Sequence, residues 1–338
     1  MNKPLISIVN SSTFGKHFTE HIETLEQFAD LVHITVPADI DADSLAEKIK
    51  DSDGIIASVT PKFPRKTLEQ CKKLILLARH GIGCDNVDLQ AATELGIAVS
   101  RVKGVVEREA VAEYAIALLM AASRRVPEGL LAVKNSDWAS RYRMIGMELH
   151  GKTIGIIGLG NIGSRSAEIL SKGFGANVIA TDPYIDKERF KQFNAREVSF
   201  DELIRSSNAI LFHCPLTSET NRMLGKEQFS VLKKGVVLVN TCRGELVDED
   251  ALYHALQHGY LGAYATDVVE GEPVDGNHRL AKLDNVIITP HLGGYSWESL
   301  RGMGQTCVDD MVAIFQKGGT GGELANPEVL NSNYRKWH

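Results

Sequence analysis

Two stretches of the chain show the same alternation of short aliphatic runs with longer segments of helical spacing. In the first stretch, the runs typical of buried strands are residues 5–9, 32–36, 54–59, 74–78 and 98–100. In the second they are residues 153–157, 177–181, 209–212, 236–240, 263–266 and 286–288. Strands that alternate with helices form a parallel sheet covered on both faces. The sequence therefore predicts an α/β fold with two such sheets.

The length and composition agree with two soluble globular domains. A chain of 338 residues is too long for one ordinary hydrophobic core. The hydrophobic fraction of 43% and the charged fraction of 24% are those of globular proteins. The net charge is −6 and no basic block is present, which argues against binding to nucleic acid.

The cysteines and the N-terminal residues indicate a cytoplasmic protein that does not bind membranes. The five cysteines are odd in number and form no C-x-x-C pair; they are Cys71, Cys84, Cys214, Cys242 and Cys307. Such thiols are typical of a reducing compartment. The apolar run at residues 5–10 is too short for a signal peptide or a membrane span.

One segment between the two stretches, residues 111–123, is apolar on nearly all sides. This pattern predicts a helix that is buried on several sides. We expect it to lie either between the two domains or in a subunit interface.

A glycine-rich turn follows the first strand of the second stretch. Gly158, Gly160 and Gly163 form G-x-G-x-x-G between this strand and a helical pattern at residues 164–171. The glycines permit a tight turn, close approach of a pyrophosphate to the backbone, and close packing of helix and strand. Asp182 stands at the end of the next strand, where its carboxylate would bind ribose hydroxyls and repel a 2′-phosphate. The pattern predicts a dinucleotide site that prefers NAD to NADP.

Three ionisable residues follow later strands of the same stretch, namely Arg243, Glu272 and His291. Ligands of an open parallel sheet bind beyond the carboxyl ends of its strands, so these side chains are expected to converge. An arginine can bind a carboxylate with two hydrogen bonds, and a histidine can transfer a proton near neutral pH. A glutamate beside the histidine would hold the imidazole. Together they are suited to hydride transfer chemistry on a hydroxy acid.

From about residue 74 to residue 330 the chain resembles the D-isomer-specific 2-hydroxyacid dehydrogenases. The resemblance rests on six stretches in a fixed order: GIGCDNVD (81–88), ELHGKTIGIIGLGNIG (148–163), HCPLT (213–217), NTCRG (240–244), Asp267 with Glu272, and TPHLGG (289–294). It implies interconversion of a 2-keto acid and a D-2-hydroxy acid with NAD.

The resemblance also implies residue roles. Arg243 would bind the substrate carboxylate, Glu272 would support the histidine, and His291 would be the general acid/base. Backbone N–H groups of Gly81, Ile82 and Gly83 would bind the substrate carboxylate. The residues expected around the cofactor are Gly158, Gly160, Asn161, Ile162, Gly163, Asp182, Pro183, His213, Cys214, Pro215, Thr220, Thr241, Cys242, Arg243, Asp267, His291, Gly293 and Gly294.

The family architecture implies two Rossmann-like, doubly wound α/β domains, with the cofactor domain inserted into the substrate domain. We expect a flavodoxin-like substrate domain at residues 1–104 and 298–338, and an NAD-binding domain at residues 105–297. The resemblance also implies a homodimer through the cofactor domain, with the helix at residues 111–123 as a suitable interface.

Two other functions are compatible with parts of the sequence. His17, Glu20 and His21 spell H-x-x-E-H, which on a helix would suit a zinc hydrolase; otherwise no metal site is expected. A noncatalytic, NAD-sensing corepressor is the second alternative. The substrate remains open as well, since Lys103, Arg108, Arg141 and Arg143 would suit a phosphorylated acid but also a solvated surface.

Overall fold

A computed structural model describes residues 3–331 and 335 of the chain. The strands are β1 Leu5–Val9, β2 Asp30–Ile34, β3 Gly54–Ala57, β4 Leu76–Arg79, β5 Ala98–Arg101, β6 Thr153–Ile157, β7 Asn177–Thr181, β8 Ala195–Glu197, β9 Ala209–Phe212, β10 Val236–Asn240, β11 Leu261–Thr266, β12 Val286–Ile288 and β13 Glu323–Leu324.

Twelve α-helices are assigned within these residues: α1 Thr19–Glu26, α2 Ala42–Ile49, α3 Arg65–Leu68, α4 Leu89–Glu94, α5 Arg108–Ser123, α6 Val126–Lys134, α7 Asn161–Glu168, α8 Lys187–Gln192, α9 Phe200–Ser206, α10 Lys226–Val231, α11 Glu249–Gln257 and α12 Trp297–Phe315. Short 3-10 helices span Trp138–Arg143, Gly244–Leu246, Leu280–Lys282 and Pro327–Asn331, and a π-helical turn spans Ile169–Gly173.

The chain forms two compact units, and the second is inserted into the first. Unit 1 comprises residues 1–107 and 294–338, and unit 2 comprises residues 108–293. The boundaries therefore lie three to four residues from those expected at 104/105 and 297/298. The predicted fold class, with two doubly wound parallel sheets, is confirmed.

Unit 1 is built on a sheet with the strand order β13-β5-β4-β3-β1-β2. Every pairing is parallel except that of β13 with β5. Neighbouring residues of β3 face opposite sides: Ile56 belongs to a buried cluster with Met311 of α12, and Ile55 to one with Leu45 of α2. Helices thus cover both faces, as the uninterrupted apolar strands require.

Unit 2 is built on a parallel sheet with the order β12-β11-β10-β9-β6-β7-β8. The strand β6 pairs with both β7 and β9, so the chain direction across the sheet reverses at this point. Such a switch point leaves a crevice beyond the carboxyl ends of the strands.

Two short strands were not predicted from the sequence. The strand β8 has only Ala195 buried, and β13 consists of two residues at the sheet edge. Edge strands expose most of their side chains, so they lack the apolar run by which the buried strands were recognised. The exposed strand β2 begins and ends two residues earlier than predicted for the same reason.

The apolar helix at residues 111–123 is part of α5, which lies within unit 2. It packs against α7, β10 and β11 of that unit. Val111, Ala115, Leu119 and Ala122 are among its buried residues. The unit's own sheet and α7 therefore bury one side of this helix, and its place in a subunit interface stays a prediction.

No helix in the described part of the chain combines the length and apolar character needed to cross a membrane.

Candidate active site

The glycine-rich turn joins β6 to α7 at the switch point of the unit 2 sheet. Gly158 has φ of +92°, and a Cβ there would lie 2.6 Å from the carbonyl oxygen of His213, which follows β9. A Cβ on Gly163 would clash with the carbonyl oxygen of Gly158. By contrast, a Cβ on Gly160 would meet no atom within 4 Å. Two glycines are required by the protein's own packing, and the third borders open space.

The turn presents hydrogen-bond donors to this space. The N–H groups of Asn161 and Ile162, at the start of α7, have no hydrogen-bond acceptor among the described residues. Free N–H groups at a helix N-terminus, together with the helix dipole, form an anion-binding site. The surroundings of Gly160 therefore fit the pyrophosphate of a dinucleotide.

Asp182 follows β7 and lies beside the turn. One carboxylate oxygen accepts a hydrogen bond from the N–H of Leu159 at 2.8 Å, and the other accepts from the N–H of Tyr184 at 3.0 Å. These bonds hold the carboxylate next to the glycine-rich turn. Its remaining lone pairs are suited to ribose hydroxyls.

Two side chains near the crevice have buried polar atoms without partners. These are the Oγ1 atom of Thr241 and both ring nitrogens of His213. Burial lowers the pKa of His213 to about 4, so its imidazole is neutral at physiological pH. Buried polar atoms are rarely left unpaired, and a bound cofactor would supply partners. Pro183 and Pro215 are exposed, and the Thr220 hydroxyl donates to the Pro215 carbonyl at 2.7 Å.

His291 and Glu272 form a direct pair. The Nδ1 atom of His291 lies 2.6 Å from the Oε1 atom of Glu272, and both side chains are half-buried. His291 has φ of +56°, and its N–H donates to the carbonyl oxygen of Asp267 at 3.0 Å. The bond at Nδ1 fixes the ring and leaves Nε2 as the atom that can exchange a proton with a ligand.

The carboxylate of Asp267 forms hydrogen bonds with the segment that carries His291. Its carboxylate accepts hydrogen bonds from the hydroxyl of Thr289 at 2.6 Å, the N–H of Leu292 at 2.8 Å and the N–H of Gly293 at 2.7 Å. Burial raises the pKa of Asp267 although these bonds oppose the shift. Asp267 was expected beside the cofactor; the structure gives it a role in positioning the loop at residues 289–293.

Arg243 follows β10, whose neighbour β11 leads to Glu272. A Cβ on the next residue, Gly244, would clash with the backbone of Val269 and Glu270. Only glycine permits this approach, which brings the segment of Arg243 against the segment of Glu272. The guanidinium of Arg243 donates to the carbonyl of Cys242 at 2.6 Å, and the Asn240 amide donates to the Arg243 carbonyl at 2.8 Å. Arg243, Glu272 and His291 thus follow three adjacent strands at one edge of the sheet.

Cys214 and Cys242 lie at the same edge and are partly buried. The Sγ atom of Cys242 donates to the carbonyl of Phe212 at 3.0 Å. Burial raises the pKa of Cys214 to about 12 and raises the pKa of Cys242 as well. Both thiols are therefore protonated at neutral pH and poorly nucleophilic.

In unit 1, the predicted substrate loop of Gly81, Ile82 and Gly83 follows β4. Its three N–H groups have no hydrogen-bond acceptor among the described residues. Arg79 is buried and connects the loop to β3. Its guanidinium donates to the carbonyls of Gly83 and Ala57, each at 2.7 Å. Gly81 has φ of +151°. The loop therefore offers a set of free donors to an anion.

Sequence reasoning did not identify Arg79 or Thr289. A charged residue at the end of the apolar strand β4, directly before a glycine loop, is the signal by which Arg79 could have been found. Thr289 carries no such signal, because its bond to Asp267 depends on tertiary packing. Gly294, which was expected near the cofactor, belongs to unit 1.

The geometry around His17, Glu20 and His21 does not suit a zinc site. His17 precedes helix α1, so the three residues do not share one helix. Glu20 pairs with Arg301 at 2.9 Å, and His21 is buried against Gly304. The described residues contain no cluster of three or more potential metal ligands.

The fold and the site together define an α/β protein with a dinucleotide-binding unit. Residues 116–293 match the family model described as "D-isomer specific 2-hydroxyacid dehydrogenase, NAD binding domain". The chain belongs to this family, and unit 2 carries its NAD-binding domain.

Relatives of known name agree with this assignment. The chain is 37% identical to D-3-phosphoglycerate dehydrogenase of Methanocaldococcus jannaschii over 93% of its own length, but it spans only 58% of that protein. It is 36% identical to glyoxylate reductase of Aeropyrum pernix, covering 93% of this chain and 94% of the relative. A crystal structure of D-lactate dehydrogenase from Aquifex aeolicus with NAD and lactic acid superposes with a TM-score of 0.80, at 29% identity, covering 91% and 94% of the two chains.

Proposed function

We propose that the chain is an NAD-dependent oxidoreductase that interconverts a 2-keto acid and a D-2-hydroxy acid. The single observation that carries this proposal is the 2.6 Å pair of His291 and Glu272, in the unit that also carries the glycine-rich turn suited to a dinucleotide. The same edge of the sheet carries Arg243, a permanently charged group suited to a carboxylate. The bound cofactor supplies hydride in the reductive direction.

The residues of the chain perform the remaining tasks. His291 donates the proton at Nε2 to the carbonyl oxygen of the keto acid, and takes it back in the reverse direction. Glu272 holds Nδ1 and so fixes the orientation of the imidazole ring. In unit 2, Arg243 is suited to bind a substrate carboxylate. In unit 1, the free N–H groups of Gly81, Ile82 and Gly83 are suited to bind such a carboxylate as well. Asp182 accepts hydrogen bonds from the ribose, which favours NAD over NADP.

The substrate class is best tested with a panel of 2-keto acids. We suggest glyoxylate, pyruvate, hydroxypyruvate, phosphohydroxypyruvate and branched 2-keto acids, with NADH consumption as the readout. We expect at least one of them to be reduced to the D-isomer. Tight NADH binding without oxidation by any member would contradict the proposal and favour a noncatalytic, NAD-sensing function.

We also propose that the chain forms a homodimer through unit 2. The segment from α6 to residue 145 carries seven large apolar side chains that are each at least 55% exposed: Val126, Leu130, Leu131, Val133, Trp138, Tyr142 and Ile145. An apolar patch of this kind is typical of an interaction surface. A second copy of the chain would cover it.

The free state of all five cysteines further supports a reducing compartment, which we propose to be the cytoplasm.

Sedimentation analysis tests the dimer. Leu130→Glu should dissociate it, because a carboxylate would be placed in an apolar interface. Tyr260→Glu is the control, since Tyr260 is 57% exposed, as Leu130 is at 56%, but lies outside this segment. A wild-type monomer, or a Leu130→Glu dimer of unchanged stability, would contradict the proposal.

A further inference from the structure

Unit 1 contains a buried polar pair formed by Ser11 and His80. The Oγ atom of Ser11 lies 2.9 Å from the Nδ1 atom of His80. Ser11 is 7% exposed and His80 is 8% exposed. Buried polar side chains are costly unless they are hydrogen-bonded, so the bond between Ser11 and His80 offsets part of the cost of burying them.

The pair lies at the end of the sheet that carries the Gly81–Gly83 loop. In the register of the sheet, Val9 of β1 pairs with Ala57 of β3, and Ala57 pairs with Arg79 of β4. His80 follows β4 directly, and Ser11 lies two residues after the end of β1. Gly81 is the residue after His80. The N–H of His80 also donates to the carbonyl of Ala57 at 2.9 Å. The bond between Ser11 and His80 therefore joins the segment after β1 to the start of the loop.

The imidazole of His80 is neutral. Burial, reinforced by the charge of Arg79, lowers the pKa of His80 to about 3. A neutral imidazole carries one proton, either at Nδ1 or at Nε2. The Nε2 atom is buried and has no hydrogen-bond partner within the described residues, and the ring packs edge to face with Phe14.

The two tautomers of His80 differ in free energy, because they leave different buried groups without a hydrogen-bond partner. A proton at Nε2 would leave a buried N–H without an acceptor, which native proteins rarely tolerate. A proton at Nδ1 donates to the Ser11 oxygen and leaves only a lone pair unsatisfied. In this second tautomer Ser11 accepts from His80, and its own hydroxyl proton is available for another acceptor. Across the described residues, the Oγ atom of Ser11 has no other partner.

We infer that Ser11 is a substrate-binding residue whose hydroxyl donates a hydrogen bond to the substrate carboxylate, and that His80 is a positioning residue that holds this hydroxyl as a donor. The Ser11 hydroxyl would act beside the free N–H groups of Gly81, Ile82 and Gly83. This inference rests on the proposed function, because it takes that loop as the site of the carboxylate.

Substitutions that distinguish the two nitrogens of His80 test the arrangement. The side-chain amide of Asn reaches the place of Nδ1, whereas that of Gln reaches the place of Nε2. His80→Gln and Ser11→Ala should each raise KM for the 2-keto acid about tenfold, since a hydrogen bond to a charged group is lost. The fall in kcat should be smaller, and NADH affinity should not change. His80→Asn and Ser11→Thr should recover most of the loss, and Ser12→Ala, at an exposed neighbouring serine, is the matched control.

Two further measurements do not depend on turnover. Affinity for oxamate, a non-reducible analogue of a 2-keto acid, should fall about tenfold in Ser11→Ala in the presence of NADH. Nitrogen-15 NMR should show His80 as the neutral tautomer protonated at Nδ1.

The outcomes separate this inference from the proposed function. An active wild-type enzyme with unchanged KM and oxamate affinity in Ser11→Ala would overturn the inference alone. A proton on Nε2 would overturn the role of His80. A wild-type chain that reduces no 2-keto acid, but binds oxamate more tightly than Ser11→Ala does, would overturn the proposed function and support the binding role of Ser11.

Discussion

The Gly158–Gly163 turn of unit 2 and the Gly81–Gly83 loop of unit 1 both follow a parallel strand and both present free N–H groups, yet their surroundings differ. The turn in unit 2 opens a helix and lies beside the carboxylate of Asp182. The loop in unit 1 opens no helix; it is held by the buried guanidinium of Arg79 and adjoins the Ser11–His80 pair. We propose that free backbone donors form an anion site in each unit and that the neighbouring side chains decide which anion fits.

Substitutions of the ionisable residues in unit 2 should have the largest effect on the rate of keto-acid reduction. His291→Gln should lower keto-acid reduction about a thousandfold, because the side-chain amide cannot act as a general acid. Arg243→Ala should give a loss of similar order by removing the cation. Stopped-flow NADH oxidation measures the rate, and fluorescence titration should show that NADH binding survives. Turnover near that of the wild type in either variant would refute the role assigned to it.

A side chain at position 160 should weaken cofactor binding without disturbing the fold. Gly160→Val should weaken NADH binding about a hundredfold, since its methyl groups would occupy the approach to the N–H groups. The melting temperature should stay close to that of the wild type. Gly276→Val is the matched control, because a Cβ at Gly276 also meets no atom within 4 Å. Equal NADH affinity in the two variants would mean that the dinucleotide does not approach Gly160.

The carboxylate of Asp182 should determine the choice of cofactor. Asp182→Asn keeps an oxygen that can accept from the N–H of Leu159 but removes the negative charge. We expect NADH affinity to fall about tenfold, since charge-assisted bonds to the ribose are lost. The ratio of kcat/KM for NADPH to that for NADH should rise. An unchanged ratio would show that another group discriminates against the 2′-phosphate.

The loop in unit 1 should affect substrate rather than cofactor. Gly81→Ala should raise KM for the keto acid a few-fold, because the loop must shift to relieve the strain at φ of +151°, and should cost about 1 kcal/mol of stability. Gly96→Ala, at φ of +73° in the same unit, should cost similar stability without changing KM. If Gly81→Ala weakened NADH binding instead, the contrast between the two anion sites would be wrong.

The sequence was sufficient for those features that depend on local pattern. Aliphatic runs predicted most of the strands, six of them with the observed ends: β1, β6, β7, β9, β10 and β12. The spacing of Gly158, Gly160 and Gly163 predicted the turn, in which Gly158 has a positive φ that favours glycine. Arg243, Glu272 and His291 could be singled out because each follows a recognisable strand.

Tertiary packing decided the rest. It assigned the carboxylate of Asp267 to the backbone of residues 292 and 293, buried α5 within unit 2, and left the apolar side chains of α6 exposed. It also joined Ser11 to His80, 69 residues further along the chain. Periodicity reports which face of one element is apolar, but a hydrogen bond between distant segments depends on the register of the strands that bring them together. The sequence alone therefore determined the elements and the reactive residues, and the folded chain determined their partners.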